Sequence, residues 1–370
     1  MELSSPLRAR IWPSEDWSAR ALELEAEVQK VVDPWERSFR TYELAELCEC
    51  LVPDRDRALV LYQRAWRLTG NNRRALIRAR RLYDELHRLD MVATLAEVEA
   101  KHTREKETSE IIGNAWLDAG RPDRAQKWLA AALDRDPDRP DLRAALDVAK
   151  TSDDRRVAEL ERVRAAAAAA SDWAAAPLCL HAARLARDIN PGLYVDMLRR
   201  TLESDPLQSS ANRLLAVFLE SARDWQEYAD HHRRQARSAE SPRDAVNALR
   251  RGGLALAVRF AQPALGIELI DEALTHAYDH ALQDVPGHPA MLTLMADTDS
   301  RRQLARTVDH CARALGAPLS EDDRLFVAVL AARIALRSLG NAAAAQRFLA
   351  IVHALVPDHS LIAAPAGGSR

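Results

Sequence analysis

The sequence is short of the residues that shape β-rich, disulfide-linked and membrane-spanning proteins. Glycine occurs 12 times and cysteine 4 times in 370 residues, and aromatic residues make up 5%. No window alternates apolar and polar residues for long enough to predict a strand. No apolar run approaches the roughly 18 residues that a membrane-spanning helix requires. These absences favour an all-α protein with no membrane span.

The four cysteines are too few and too scattered to form a disulfide framework. Cys48 and Cys50 are two residues apart on a predicted helix, so their side chains point to different faces and disfavour a bridge or a shared metal. Cys179 and Cys311 are predicted to be small buried hydrophobic residues. We expect a reducing compartment. Because the start has no apolar core of signal-peptide length, we expect a cytoplasmic location.

Charge nearly cancels, with 52 basic and 55 acidic side chains, so no bulk polyelectrolyte partner is indicated. Its distribution is uneven. Residues 15–49 contain ten carboxylates and four basic residues, a local net charge of −6, whereas residues 54–88 contain ten arginines and four carboxylates, a local net charge of +6. Only five basic residues are lysine. This preference for arginine, together with abundant alanine, suggests a GC-rich genome and a bacterial source.

One residue spacing occurs twice, in segments more than two hundred residues apart. Each copy has a glycine, a small residue, a leucine, a second small residue and a proline at the same offsets. The copies are Gly120, Ala125, Leu129, Ala132 and Pro137, and Gly340, Ala345, Leu349, Val352 and Pro357. This spacing describes one helix of a helix-turn-helix repeat. It resembles the tetratricopeptide repeat (TPR) family, which implies a right-handed α-solenoid of antiparallel helix pairs.

The clearest repeat runs over residues 106–139, and weaker repeats precede it at 39–72 and 73–105. In the clearest repeat, Gly113 is expected to let the two helices approach, while Trp116 and Leu129 fill the remaining groove. We divide the chain into an N-terminal extension, N-terminal TPR-like repeats, degenerate helical repeats, a C-terminal TPR-like repeat and a flexible tail. The predicted bounds are 1–15, 16–139, 140–325, 326–360 and 361–370.

Two interpretations of the degenerate middle stay open. In the first, tertiary packing tolerates any residue of suitable volume, and the array continues. In the second, the alanines of residues 165–170 form a hinge, because alanine forms helix well and offers little side-chain area to neighbouring helices.

No motif for a nucleophile, a phosphate loop or a dinucleotide site occurs, so neither an enzyme nor a cofactor is predicted. Most carboxylates lie near arginines at helical spacing, as on solvated salt-bridge faces. His276 and His280 share a predicted helical face and are weak metal candidates. The metalloprotease pattern requires a glutamate directly after the first histidine, where this chain has Ala277. Histidines on a solvated or interhelical face are the favoured interpretation.

The resemblance to TPR proteins also implies a concave groove lined by the first helix of each repeat. It assigns to that groove Arg74, Ile77, Arg81, Asp84, Asn114, Leu117 and Asp118, with Glu85, Glu107 and Glu110 beside them. Asn114 resembles the asparagine with which family members hold a peptide carboxylate. Glu110 stands where the companion lysine is expected, so the groove is predicted to bind a segment that carries both charges.

The predicted function is a non-catalytic protein-interaction scaffold or adaptor that binds a partner protein segment in this groove. Self-assembly through the acidic and basic segments is a variant. One alternative is a regulatory or sensory module that controls a separate enzyme. A weaker one is nucleic-acid binding through the arginine-rich face of residues 55–88, because the preceding acidic segment repels phosphate.

Overall fold

The computed structural model describes residues 17–50, 52, 54–101, 108–171, 174–283, 285 and 288–357. The predicted extension at 1–15, the tail at 361–370 and the groove residue Glu107 lie outside them. Within the described residues the chain is helical and contains no strand, which confirms the all-α prediction. In the same residues, no helix is both long enough and apolar enough to span a membrane.

The helices follow one another with short connections. In chain order they are α1 Trp17–Lys30, α2 Pro34–Cys50, α3 Arg55–Thr69, α4 Arg73–Glu85, α5 Leu89–Ala100, α6 Thr108–Asp118, α7 Pro122–Leu133, α8 Pro140–Lys150, α9 Asp153–Ala169, α10 Ala175–Ala186, α11 Pro191–Ser204, α12 Ser209–Ala222, α13 Trp225–Arg237, α14 Pro242–Leu254, α15 Pro263–Asp279, α16 His288–Ala296, α17 Arg301–Leu315, α18 Glu321–Arg333 and α19 Ala342–Leu355. Two π-helical turns, Ala255–Arg259 and Ile334–Ser338, extend α14 and α18.

Local sequence explains many of the helix ends. The amide oxygens of Asn190 and Asn341 accept hydrogen bonds from the first turns of α11 and α19. Gly120 and Gly340, the first residues of the duplicated spacing, have φ angles of 73° and 65°. Glycine adopts this left-handed conformation without the strain that a side chain brings. The duplicated spacing therefore marks the same turn in both repeats.

Within each unit most helices that are consecutive in the chain pack against each other, as expected for an α-solenoid. The contacts divide the chain into two units. Unit 1 contains the described residues up to Ala75 and from Ala239 onward, and unit 2 contains Leu76–Ser238. These bounds differ from the predicted segments, in which the regular repeats end at residue 139. The predicted division by repeat quality stays a prediction.

Unit 2 contains the best-formed repeat. Ile112, Trp116 and Leu129 are buried in one hydrophobic cluster with small residues of α7 and α8. A Cβ atom added to Gly113 would lie 2.7 Å from Cγ and Cδ2 of Leu129. The close approach of α6 and α7 predicted from these residue types is confirmed.

Unit 1 buries an acidic helix. Every residue of α2 from Thr41 to Cys50 is buried, including Glu43, Glu46 and Glu49. The Tyr42 hydroxyl donates to Glu46 at 2.8 Å, and the Tyr62 hydroxyl donates to Glu49 at 2.7 Å. Part of the acidic segment counted in the sequence therefore lies inside the unit, and is not available for charge pairing with a second copy of the chain.

The four cysteines are buried and unbridged thiols, as predicted for Cys179 and Cys311. Burial raises the pKa of the Cys48 thiol to about 11 and that of Cys311 to about 12. Both thiols are therefore protonated and unreactive near neutral pH.

Candidate functional site

The predicted groove residues of unit 2 lie on α4 and α6. Asp118, in the last turn of α6, is fully buried, and both of its carboxylate oxygens are occupied. Arg184 of α10 donates to Oδ1 at 2.7 Å, while Arg213 and the Ser210 hydroxyl of α12 donate to Oδ2 at 3.0 and 2.8 Å. Asp118 thus joins three helices that are distant in the chain.

Two further predicted residues belong to this network. Asp84 of α4 accepts from Nε of Arg213 at 2.6 Å, and Asn114 of α6 accepts from Nη2 of Arg184 at 3.2 Å. At the end of α4, Nδ1 of His87 lies 2.7 Å from Glu220 of α12. Helix α12 therefore packs across two earlier repeats through polar contacts. We call Asp84, Asn114, Asp118, Arg184, Ser210 and Arg213 the Asp118 network.

Electrostatics keep the network charged. Burial by itself raises the pKa of the Asp118 carboxyl, but the guanidinium groups of Arg184 and Arg213 outweigh burial and lower it. Within the network two arginines balance two aspartates, so its net charge is zero. A buried ion pair tolerates desolvation better when further hydrogen bonds satisfy its atoms, and here Ser210 donates to Asp118 while Asn114 accepts from Arg184.

The other predicted groove residues are placed differently. Arg74 is exposed in the first turn of α4 and belongs to unit 1, whereas the exposed Arg81 and the half-buried Ile77 belong to unit 2. Leu117, which was predicted to line the groove, lies in the hydrophobic core of unit 2, and this assignment is corrected. Successive helical residues are about 100° apart, so Asp118 and Leu117 face different neighbours.

A cavity of about 210 Å³ lies beside the Asp118 network. Helices α4, α5, α6, α8, α10 and α12 line it, and we call the surface that they present to it the inner face. Its polar lining includes Arg80, Asp84, Glu110, Asn114, Asp141, His181, Arg184, Ser210 and Arg213. Its apolar lining includes Val92, Ile111, Ala115, Ala145, Val148 and Leu180.

Sequence reasoning missed the residues of α10 and α12. His181, Arg184, Ser210 and Arg213 follow Pro140, where the repeat pattern decays and no register can be carried forward. One available signal was the polar face of α12, where Ser210 and Arg213 are three residues apart and therefore neighbours on the helix surface.

The arginine-rich segment of residues 55–88 is partly neutralised. In unit 1, Arg57 lies 2.5 Å from Glu25, and in unit 2, Arg80 lies 3.0 Å from Glu99. Tyr62 and Tyr83 are buried, so they offer no platform on which a base could stack.

The weak metal candidates His276 and His280 lie together. The rings of His276 and His280 are 4.3 Å apart between centroids, and Nδ1 of His280 lies 3.0 Å from the His276 carbonyl oxygen. His288 is buried, with Nε2 2.8 Å from the Tyr278 hydroxyl. Among the described residues, no group of three or more potential ligands could hold a metal ion.

The fold and the inner face define an all-α protein built of helical repeats. No family model and no curated protein matches the chain, so membership of the TPR family stays a prediction. Solved structures do match it. One is a chain of the Naa15/Naa10 complex bound to HypK-THB, with 11% identity and a TM-score of 0.29. The match covers 95% of this chain and 64% of that one, so this chain spans less than two thirds of the neighbour's length.

Proposed function

We propose that this protein is a non-catalytic interaction scaffold that binds a segment of a partner protein at the inner face of unit 2. The observation that carries the proposal is that the first helices of two successive repeats, α4 and α6, present side chains to that one face. Stacked repeats create such surfaces because each repeat presents the same helix in the same direction.

The inner face also limits the chemistry of the partner. Asp84, Asn114 and Asp118 are already bonded to Arg184 and Arg213, so a partner meets mainly the residues around them. These include Ile111, which lines the cavity and is 51% exposed, and the charged Arg80 and Glu110. An apolar side chain flanked by charges of both signs suits this surface, consistent with a segment that carries both charges.

The test is affinity capture from the native organism with three baits. They are the wild-type chain, the variant Ile111→Glu at the inner face, and a control with Val157→Glu on α9. The control introduces the same charge at a residue of unit 2 that is 57% exposed and does not line the cavity. We expect proteins that the wild-type and control baits enrich and the first variant loses. Equal capture by all three baits, or capture of chaperones alone, contradicts the proposal.

The sensory alternative is a second candidate, and the cavity on the inner face favours it. Ligand binding there would act on α6, α10 and α12 at once, because all three line the cavity and share the Asp118 network. Such coupling is a physical route by which a bound ligand changes the curvature of a solenoid.

A further inference from the structure

Three buried polar atoms of residues that line the cavity have no hydrogen-bond partner among the described residues. Nε of Arg80 is one, and it lies 3.0 Å from Glu99 in an ion pair. The other two are Nε2 of His181 and Nε of Arg184. The His181 residue is 4% exposed and the Arg184 side chain is 7% exposed, and both line the cavity. Buried polar groups are almost always paired, so each unpaired group calls for an explanation.

The missing partner of Arg184 must be an acceptor. A guanidinium has only donors, and Asp118 already accepts from Arg184, Arg213 and Ser210. The first turn of α12 also opens at the cavity through Ser209 and Ser210. The N-terminus of a helix favours a negative group, which makes an oxygen of a carboxylate a suitable acceptor.

The other charged residues at the cavity favour a positively charged group on the ligand as well. The Asp118 network is neutral, so it leaves no surplus positive charge for a multiply charged anion such as phosphate. At the same cavity Glu110 and Asp141 share one arginine, Arg139, at 2.9 and 2.6 Å. Two carboxylates against one guanidinium leave an excess of negative charge that a ligand ammonium group can neutralise.

The volume of the cavity and its apolar lining restrict the chemical class of the ligand further. The volume of about 210 Å³ is smaller than the roughly 300 to 1,000 Å³ of sites for drug-sized ligands. Val92, Val148 and Leu180 supply an apolar surface within the same cavity. A ligand that combines a carboxylate, an ammonium group and a short apolar side chain satisfies all three requirements.

We propose that the cavity on the inner face of unit 2 is a binding site for a free aliphatic amino acid. The carboxylate is held at the Arg184, His181 and α12 side, the ammonium group lies toward Glu110 and Asp141, and the side chain packs on Val92 and Val148. The proposal rests on the sensory alternative, whose ligand it names, and its failure is separable from that of the scaffold function because amino-acid binding is measured without any partner protein.

The experiment is calorimetric titration of the full chain with L-leucine, L-isoleucine and L-valine at millimolar concentration. N-acetyl-L-leucine and L-leucinamide, which each lack one charge, are the matched analogues. Inorganic phosphate tests the anion alone. We expect at least one of the three amino acids to bind, and we expect loss of either charge from leucine to weaken binding about tenfold, which corresponds to about 1.4 kcal/mol.

Two variants test whether the amino acid binds in the cavity. Ile111→Trp fills the cavity mouth, whereas the control Val157→Trp changes a residue of unit 2 that is 57% exposed and does not line the cavity. We expect binding to be lost in Ile111→Trp and unchanged in Val157→Trp. His181→Phe, which removes the ring nitrogens at similar size, should weaken binding if the variant folds.

Any of four outcomes overturns the proposal. They are no binding of the three amino acids, equal binding of the analogues that lack a charge, saturation by phosphate alone, or unchanged amino-acid binding in Ile111→Trp. The position of residue 111 in an exposed part of α6 keeps the test decisive even where His181→Phe does not fold.

Discussion

The two units bury polar side chains in different ways. In unit 2 the charged pairs of the Asp118 network join residues 66 to 129 positions apart. In unit 1, tyrosine hydroxyls form buried hydrogen bonds over much shorter separations, as between Tyr278 and His288, ten residues apart, and between Tyr62 and Glu49, 13 apart. Charged long-range contacts demand that distant helices be in place together, whereas short-range contacts form within one or two repeats. Unit 2 should therefore be more sensitive to the loss of a single polar side chain.

The largest loss of stability is expected when the Asp118 network is broken. Asp118→Ala leaves Arg184 and Arg213 buried without their shared carboxylate, and we expect a loss of about 3 to 5 kcal/mol in the free energy of unfolding. Chemical denaturation measures the loss, and hydrogen exchange locates it in α6, α10 and α12. The control is Asp134→Ala, at the exposed end of α7, which should leave the unfolding midpoint unchanged. A wild-type midpoint in Asp118→Ala would show that the network contributes no stability.

The next largest loss of stability is expected when a methyl group is added at either of two close helix contacts. A Cβ atom on Gly266 in unit 1 would lie 2.6 Å from the backbone nitrogen of Ala257, and one on Gly113 in unit 2 would lie 2.7 Å from the side chain of Leu129. Backbone cannot move aside as a side chain can, so we expect Gly266→Ala to cost about 3 kcal/mol and Gly113→Ala about 1 kcal/mol.

Thermal and chemical unfolding of the two glycine variants check this order. Replacing glycine by alanine gains about 1 kcal/mol in helix propensity at either position. The difference in stability between the two variants therefore reports the helix contact alone. Gly192→Ala is the control, because its nearest neighbour would be 3.5 Å away, an ordinary contact. Equal costs at positions 113 and 266 would contradict the distinction between backbone and side-chain neighbours.

A smaller effect contrasts two buried histidines. His288→Phe in unit 1 leaves the Tyr278 hydroxyl without its partner, and we expect a cost of about 1 to 3 kcal/mol at pH 7. His181→Phe in unit 2 removes a ring whose Nε2 has no partner among the described residues, so stability should be equal or higher. Denaturation of both variants at pH 7 gives the comparison. Destabilisation by His181→Phe equal to that of His288→Phe would contradict it.

His181 and His288 also make the free energy of unfolding depend on pH. Burial lowers the pKa of His181 to about 4 and, with a smaller effect of nearby His310, that of His288 to about 3. The unfolded rings take up protons near pH 6.5, so the unfolded state binds more protons as the pH falls below that value. Stability should be flat above pH 6.5 and fall toward pH 4. The fall should be shallower in His181→Phe, and denaturation at several pH values measures the slope.

The smallest effect concerns the alanines at 165–170. Helix α9 is continuous to Ala169, and Ala167 is buried against Ala175 and Cys179 in a small cluster. If the array simply continues, amide exchange at 165–170 should be as slow as at 116–133 in the same unit. Faster exchange confined to 165–170 would support the hinge.

Local sequence determined the secondary structure and the contacts within a repeat. Gly120 and Gly340 predict turns because glycine adopts positive φ angles freely, and Gly113 predicts a close helix contact because it lacks a side chain. The burial of Ala125, Trp116 and Leu129 follows from helical periodicity, and all three are buried as predicted. In the second copy of the spacing, Phe348 is buried and Leu349 is only half-buried. The duplicated spacing therefore predicted the turn at Gly340 better than it predicted which residue fills the contact between the helices.

Tertiary structure alone decided which polar residues meet. Asp84, Asn114 and Asp118 could be assigned to an inner face from their repeat positions, but Arg184 and Arg213 could not be paired with them from the sequence. A helical period relates residues three and four positions apart and carries no information about a helix some seventy residues later. The winding of unit 2 depends on how successive repeats pack, and that winding brings α12 onto α6. The sequence determined the repeats, while the fold determined that their inner face holds a buried ion network beside a small cavity.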